Sequence, residues 1–275
     1  MIEQMNELAS YRMIGTSADG KHRAIQLATA RRVEIAILGS DETVAVLLAS
    51  STLDAMAHRG APRIVDHGTL ADGSTWVASE APEGIALADI MLRRTLAVDE
   101  VAALLRDTSD VLMAAHRRGV VHCNLRPDGI YFGTGSRHAP IILTDWLGMR
   151  VPGAPAGDMA LSAYAAPELF GAFDGRADLY SLGVIAYRAF TGRFPDADPL
   201  HVPGASPALE RLLVRMLATS PDRRPGAAEV HLLAGVMLEP DRDVAPRARV
   251  RWTPAHGMSV LDMREARATI LRAKS

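Results

Sequence analysis

Cysteine is almost absent. Cys123 stands alone in 275 residues, so no intramolecular disulfide can form, which fits a reducing cytoplasm. Lysine is nearly as scarce: of 30 basic residues only Lys21 and Lys274 are lysine, and the rest are arginine. Neither sign of charge dominates, and a formal net charge of −2 gives no broad attraction to nucleic acid or to an anionic membrane. No run approaches the ~18 consecutive apolar residues of a spanning helix. The opening "MIEQMNELAS" lacks the basic start and apolar stretch of a signal peptide. The expectation is a cytoplasmic chain with no membrane span within it. Internal repeats are also missing.

What is present is a hydrophobic content of 48%, enough for a real core and against disorder. Residues 1–80 read as short strands with one helix. "VEIAIL" (33–38) puts Val33, Ile35 and Ile37 on one face by period-two alternation. "STWVASE" (74–80) follows a hairpin signal, the Asp-Gly of "LADGS". Between them Val44, Leu47, Leu48, Ser51 and Ala55 recur at helical spacing, which predicts a helix over 42–58.

After "APEG" (81–84) the pattern turns helical. Asp99 is the expected cap of "EVAALLRDTSDVLMAAHRRG", with Val101, Leu104, Leu105, Val111, Leu112 and Ala115 as its apolar stripe and Gly119 as its stop. The nearly all-apolar "ADLYSLGVIAYRAFTG" (177–192) predicts a buried helix. "SPALERLLVRMLATS" (206–220) and "GAAEVHLLAGVML" (226–238) add two more. The expected organisation is a strand-rich small lobe over 1–80, a hinge at 81–84 and a helical large lobe over 85–238. Residues 239–275 read as a Pro- and Arg-rich linker with a short amphipathic end, "SVLDMREARATILRAK". That tail, including "RARVRW" (247–252), reads as packing, linker or docking segment, and its arginines are too few for a nucleic-acid site.

Four stretches carry a family resemblance. They are "GVVHCNLRPDGIYFG" (119–133), "AYAAPE" (163–168), "DGRADLYSLGVIAYRAFTGRFP" (174–195) and "SPDRRP" (220–225). On these the chain resembles bacterial serine/threonine protein kinases over roughly residues 11–238. The resemblance implies an α+β, bilobal protein kinase-like fold. It implies structural roles for His122 beneath the D-F-G segment, for Asp178, and for Glu168 paired with Arg224.

Phosphoryl transfer needs a phosphate-cradling loop, a Lys–Glu pair, a base and metal ligands. Against the family pattern these letters are mostly lost. In "GTSADG" (15–20), Gly15 and Gly20 remain but Ser17 replaces the middle glycine, which hinders backbone approach to phosphate. Ala36 stands where the β3 lysine belongs, and Glu34 where a small residue would line the adenine site. Asp54 is the one acid over 46–58, near the place of the partner glutamate, and it reads as a solvated helix face. Glu80 falls at the hinge. In the catalytic loop Asn124 replaces the base, Cys123 the arginine, Arg126 the lysine and Gly129 the metal-binding asparagine. "DWLG" (145–148) keeps Asp145 as the remaining metal-ligand candidate, with a register that can shift by one residue. Leu161 stands where the activation segment would carry threonine, and Ser162 and Tyr164 are the hydroxyls there.

Losing a general base alone costs ~10²–10⁴-fold. Together the losses point to a pseudokinase, a regulatory or scaffolding protein-binding module with no cofactor and no metal. The expected partner is a protein, such as an active serine/threonine kinase or a phosphoprotein-reading domain. Two alternatives remain at this level. One is an atypical ATP-dependent kinase or nucleotidyl transferase using Lys21. The other is a sensor that binds ATP through Asp145 without turnover.

Overall fold

The computed structural model describes residues 8–17, 20–39, 43–133, 140–152, 162–196 and 200–239. The chain divides into two compact units, Met1–Pro82 and Glu83–Ser275.

The first unit is a five-stranded antiparallel sheet with a helix. Its strands are β1 (Tyr11–Thr16), β2 (His22–Gln26), β3 (Arg31–Leu38), β4 (Ile64–Thr69) and β5 (Thr75–Glu80), in spatial order β1-β2-β3-β5-β4. Alternation places Val33 and Ile35 of β3 in one core with Tyr11, Ala24, Trp76 and Ala78, closed by Leu8 and Leu70. Ile37 has the same parity but lies past this cluster and is 45% exposed. The sheet curls enough for Tyr11 on one edge strand to donate its hydroxyl to Asp66 on the other, at 2.9 Å. Burial, then the Asp66 bond, pushes that phenol up to about 12. The 70–74 turn is closed by Leu70 N–H donating to the Ser74 carbonyl and by Gly73 at φ 85°.

Helix α1 (Thr43–Met56) lies at the place the spacing indicates, but with an unexpected face inward. Val46, Ala49, Thr52, Leu53 and Met56 are buried. The stripe Val44, Leu47 and Leu48 faces out, with Val44 75% exposed. Both stripes have helical periodicity, so the period alone does not choose between them.

The second unit holds a small sheet of β6 (Ile85–Ala86), β7 (Ile130–Phe132) and β8 (Ile141–Leu143), and five helices among the described residues. These are α2 (Leu87–Met91), α3 (Val98–His116), α4 (Arg176–Thr191), α5 (Pro207–Met216) and α6 (Ala227–Leu238). Gly84 opens the unit at φ 143°, and a Cβ there would sit 2.1 Å from the Phe132 carbonyl oxygen. Only glycine lets the chain enter against β7.

The buried stripe of α3 is Val101, Leu104, Leu105, Val111, Leu112 and Ala115. Its start corrects the Asp99 assignment: the helix begins at Val98 behind Ala97, which has no side-chain cap to offer. Glu100 reaches back to the Ala97 N–H at 2.9 Å, and Asp99 accepts from the Glu100 N–H instead of capping. Half a capping box therefore suffices. Ser206 caps α5 through the Leu209 N–H, and Gly183 lets α4 approach Met216 of α5. Residues 240–275, including the linker and amphipathic readings, lie outside the described residues, as does Leu161.

Candidate functional site

The loop after α3 is held from below. Val121 and Arg150 exchange two backbone hydrogen bonds of 2.8 Å. His122 is fully buried, its Nε2 is 2.8 Å from the Thr144 carbonyl, and Trp146 meets it edge-on at 4.6 Å. The Trp146 indole N–H donates to Leu143 at 2.6 Å. Cys123 adopts φ 61°, a left-handed conformation that a residue with a Cβ rarely takes.

Asp178, in the first turn of α4, supports that conformation. Its two carboxylate oxygens accept the N–H groups of His122 (2.8 Å) and Cys123 (2.9 Å), and His116 Nε2 lies at 2.8 Å. Burial opposes the Asp178 charge. The hydrogen bond and charge of His116, with help from His122, outweigh it and hold the carboxyl below its usual range. Burial also pushes the Cys123 thiol up, which disfavours the thiolate.

His122 supplies a pH prediction. Burial holds its imidazole below its ordinary value. As pH falls through ~6.5, the unfolded chain gains a proton that the folded chain refuses, so stability is lost. Depressed Asp178 adds a loss of the same sign below ~4. Urea unfolding at stepped pH is expected to show stability dropping from pH 7 to 5, with a flatter profile in His122→Gln. An unchanged slope in that variant would remove His122 as the cause.

The chemical positions sit above this support. Asp145 occupies the left-handed region (φ 68°, ψ 32°) and points its Oδ2 at Arg126 Nη2, 3.2 Å away. A Cβ at Gly129 would lie 2.9 Å from that same oxygen and 3.3 Å from Thr144 Oγ1. The Asp145 carboxylate therefore occupies space that any side chain at 129 would need. The opposite face of Asn124 is closed as well: a Cβ at Gly148 would fall 3.1 Å from Asn124 Cβ. The glycine of this segment thus makes its close approach from position 148.

These residues do not fit a magnesium–nucleotide complex. Gly129 offers no ligand atom, and the carboxylate of Asp145 is neutralised by a guanidinium. No cluster of three or more His, Cys, Asp or Glu able to hold a metal occurs among the described residues.

In the first unit, the described residues of the glycine loop bond to one another. The Ser17 N–H and hydroxyl both donate to the Lys21 carbonyl (2.8 and 2.9 Å), and the Gly20 N–H donates to Ser17 (3.1 Å). Amides so engaged are not directed at a phosphate. Gly20 has φ 87°, and Gly15 flanks a register shift in the β1–β2 pairing. On β3, Glu34 is 8% exposed and lies directly opposite Arg23 of β2 and Ser79 of β5, while Ala36 faces Val77. Arg23 was invisible to motif reading. Strand parity reveals it, because opposed residues share a face. Asp54 is exposed, 4.0 Å from Arg63. Glu80 accepts from Arg31 Nη1 (3.0 Å) and from the Arg63 N–H (3.4 Å).

The C-terminal markers form a caged ion pair. Arg224 donates to both oxygens of Glu168 (2.5 and 3.0 Å) and to the carbonyls of Ala218 (2.7 Å), Thr219 (2.9 Å) and Arg176 (3.3 Å). Its guanidinium also stacks 4.6 Å from the Tyr180 ring. Ser162 Oγ accepts from the Tyr164 N–H at 3.3 Å, and the buried Tyr164 hydroxyl is hydrogen-bonded to Arg188.

No family model matches the chain. Curated sequences do. The serine/threonine-protein kinase Pkn1 of Myxococcus xanthus is 37% identical over 156 residues, which is 47% of this chain and 22% of that protein. Pkn2 of the same organism is 28% identical over 268 residues, 84% of this chain and 31% of that protein. PknJ of Mycobacterium tuberculosis is 28% identical over 181 residues, 56% of this chain and 31% of that protein. The chain thus spans less than a third of the length of these relatives. Among solved structures, a Cydia pomonella granulovirus kinase, PK-1, superposes with a TM-score of 0.67 over 83% of this chain and 95% of that one. At 14% identity that likeness shows the fold alone.

Proposed function

Since the chain is a protein kinase-like domain related to bacterial serine/threonine kinases, we propose that it is a pseudokinase, a catalytically inactive domain serving as a regulatory or scaffolding protein-binding module in bacterial signalling. The observation that carries this reading is the Arg126–Asp145 pair closed over Gly129. The last acidic ligand position is engaged by a cation, and the second ligand is a bare backbone. Ala36 and Asn124 compound the loss, since neither the phosphate-binding cation nor the base is present.

Both alternatives rest on residues with other engagements. The loop carrying Lys21 is closed on itself through Ser17. Asp145, needed by an ATP sensor, is paired with Arg126. The protein-binding half of the reading is supported by α1, whose outward residues Val44, Leu47 and Leu48 are apolar. The partner proposed is a protein, an active serine/threonine kinase or a phosphoprotein-reading domain.

The test is phosphate incorporation from labelled ATP with Mg²⁺ into the chain and a generic protein substrate, beside a thermal-shift titration with the same nucleotide. No incorporation and no shift are expected, and Asn124→Asp is expected to change neither. A shift without turnover would favour the sensor. Turnover gained by Asn124→Asp alone would overturn the reading, because it would mean that only the base was missing.

A further inference from the structure

The connection between α2 and α3, residues 92–97, reads Leu-Arg-Arg-Thr-Leu-Ala. Leu92, Arg93, Arg94 and Thr95 are all exposed, and 94–97 is neither helix nor strand. Leu96 is the anchor of the segment: it is 2% exposed, and its N–H donates to the Ala189 carbonyl of α4 at 2.8 Å. One apolar side chain faces in, and the hydroxyl-bearing residue before it stays at the surface.

Thr95 Oγ1 has no hydrogen-bond partner among the described residues. Three other hydroxyls outside the core are engaged: Thr29 with Gln26 (2.7 Å), Ser51 with the Leu48 carbonyl (3.1 Å) and Ser162 with the Tyr164 N–H (3.3 Å). Thr95 therefore has no bond to break before it reacts. Drawing it into an enzyme's groove needs only a local opening at Leu96, in a short surface connection of the kind that opens most easily.

The surrounding charge selects the kind of enzyme. Arg93 and Arg94 directly precede the hydroxyl, and Arg-Arg-Thr occurs once in the chain. A kinase that lines its peptide groove with carboxylates gains charge-assisted contacts from both arginines. The product also finds a cation at hand. Arg94 bends over its neighbour, Nη1 donating to the Thr95 carbonyl at 3.2 Å, while the same guanidinium forks to Glu100 at 2.5 and 2.7 Å. A phosphate on Oγ1, with a charge of about −1.5 to −2, competes with Glu100 for that guanidinium. Glu100 also accepts the Ala97 N–H at the start of α3, so the modification reaches the first turn of a helix through one shared arginine.

We propose that Thr95 is a phosphorylation site, accepting the γ-phosphoryl group of ATP from a separate, arginine-directed serine/threonine kinase. This rests on the reading of the chain as the inactive partner of an active kinase. The step forms the bond from Thr95 Oγ1 to phosphorus and breaks the one from phosphorus to the bridging oxygen of ATP. The hydroxyl proton passes to the base of the acting kinase, and ADP leaves.

The test incubates the full chain with Mg²⁺ and ATP, with and without a purified arginine-directed serine/threonine kinase domain, and maps phosphate by mass spectrometry. Phosphate is expected at Thr95, and only with the added kinase. Thr95→Ser should keep it and Thr95→Val should lose it. The double change Arg93→Gln, Arg94→Gln should slow it at least ~10-fold, through the loss of two charge-assisted contacts. Thr69, exposed on β4 behind His67 and Gly68, should stay unmodified. Labelling that spares Thr95, that falls equally on Thr69 or that ignores the double change would overturn the proposal. Phosphate at Thr95 with ATP alone would be a different failure. It would overturn the inactive reading of the domain and, with it, the separate donor.

Discussion

Arg224→Ala should lower the unfolding free energy by about 3–5 kcal/mol, the usual cost of removing one partner from a buried ion pair. The side chain of Arg224 is fully buried and that of Glu168 only 15% exposed. Truncation leaves the carboxylate without its counter-charge. It also leaves the carbonyls of Ala218, Thr219 and Arg176 without the donors that converge on them. Arg224→Lys should recover only part of the loss. An ammonium keeps the charge but cannot fork to both Glu168 oxygens, reach the three carbonyls and stack on Tyr180 at once. Urea denaturation of the three proteins measures this. A loss under ~1 kcal/mol for Arg224→Ala would mean that water replaces the guanidinium and that the pair does not hold the two segments together.

That ion pair is legible because its residues sit in two short motifs, "AYAAPE" and "SPDRRP". The strands of the first unit were legible for a related reason: period-two alternation in 33–38 and an Asp-Gly turn before 74–80 are local signals. Sequence pattern failed where the answer depends on what lies across a gap. The stripe of α1 has a proper helical period, yet the sheet covers the other stripe. Asp99 looked like a cap, but the chain direction before α3 starts the helix at Val98. At the site, departures from the family pattern are legible one letter at a time, whereas the contacts between those positions are not. Nothing in the spacing of Arg126, Gly129 and Asp145 states that the carboxylate lies against Gly129. Nor does a motif state that Arg23 faces Glu34, which is a property of strand register. The register of "DWLG" is ambiguous by one residue in the sequence, and the structure adds that Gly148 is the glycine lying against Asn124.

Asp178→Ala should be destabilising to a similar degree, about 3–5 kcal/mol, for a different reason. Two buried backbone N–H groups, those of His122 and Cys123, have this carboxylate as their acceptor, and each unsatisfied group costs ~1–3 kcal/mol. The left-handed turn at Cys123 then loses what holds it, and its intrinsic cost of ~1–2 kcal/mol is no longer offset. Asp178→Asn should fall between, since an amide has one oxygen for two donors. The two contributions separate by adding Cys123→Gly. Glycine adopts that φ without penalty, so it should recover ~1 kcal/mol in the Asp178→Ala background. Recovery of nothing would mean that the turn has already rearranged once the carboxylate is gone. A full loss with recovery would show that the Asp178 carboxylate of α4 holds the left-handed turn at Cys123.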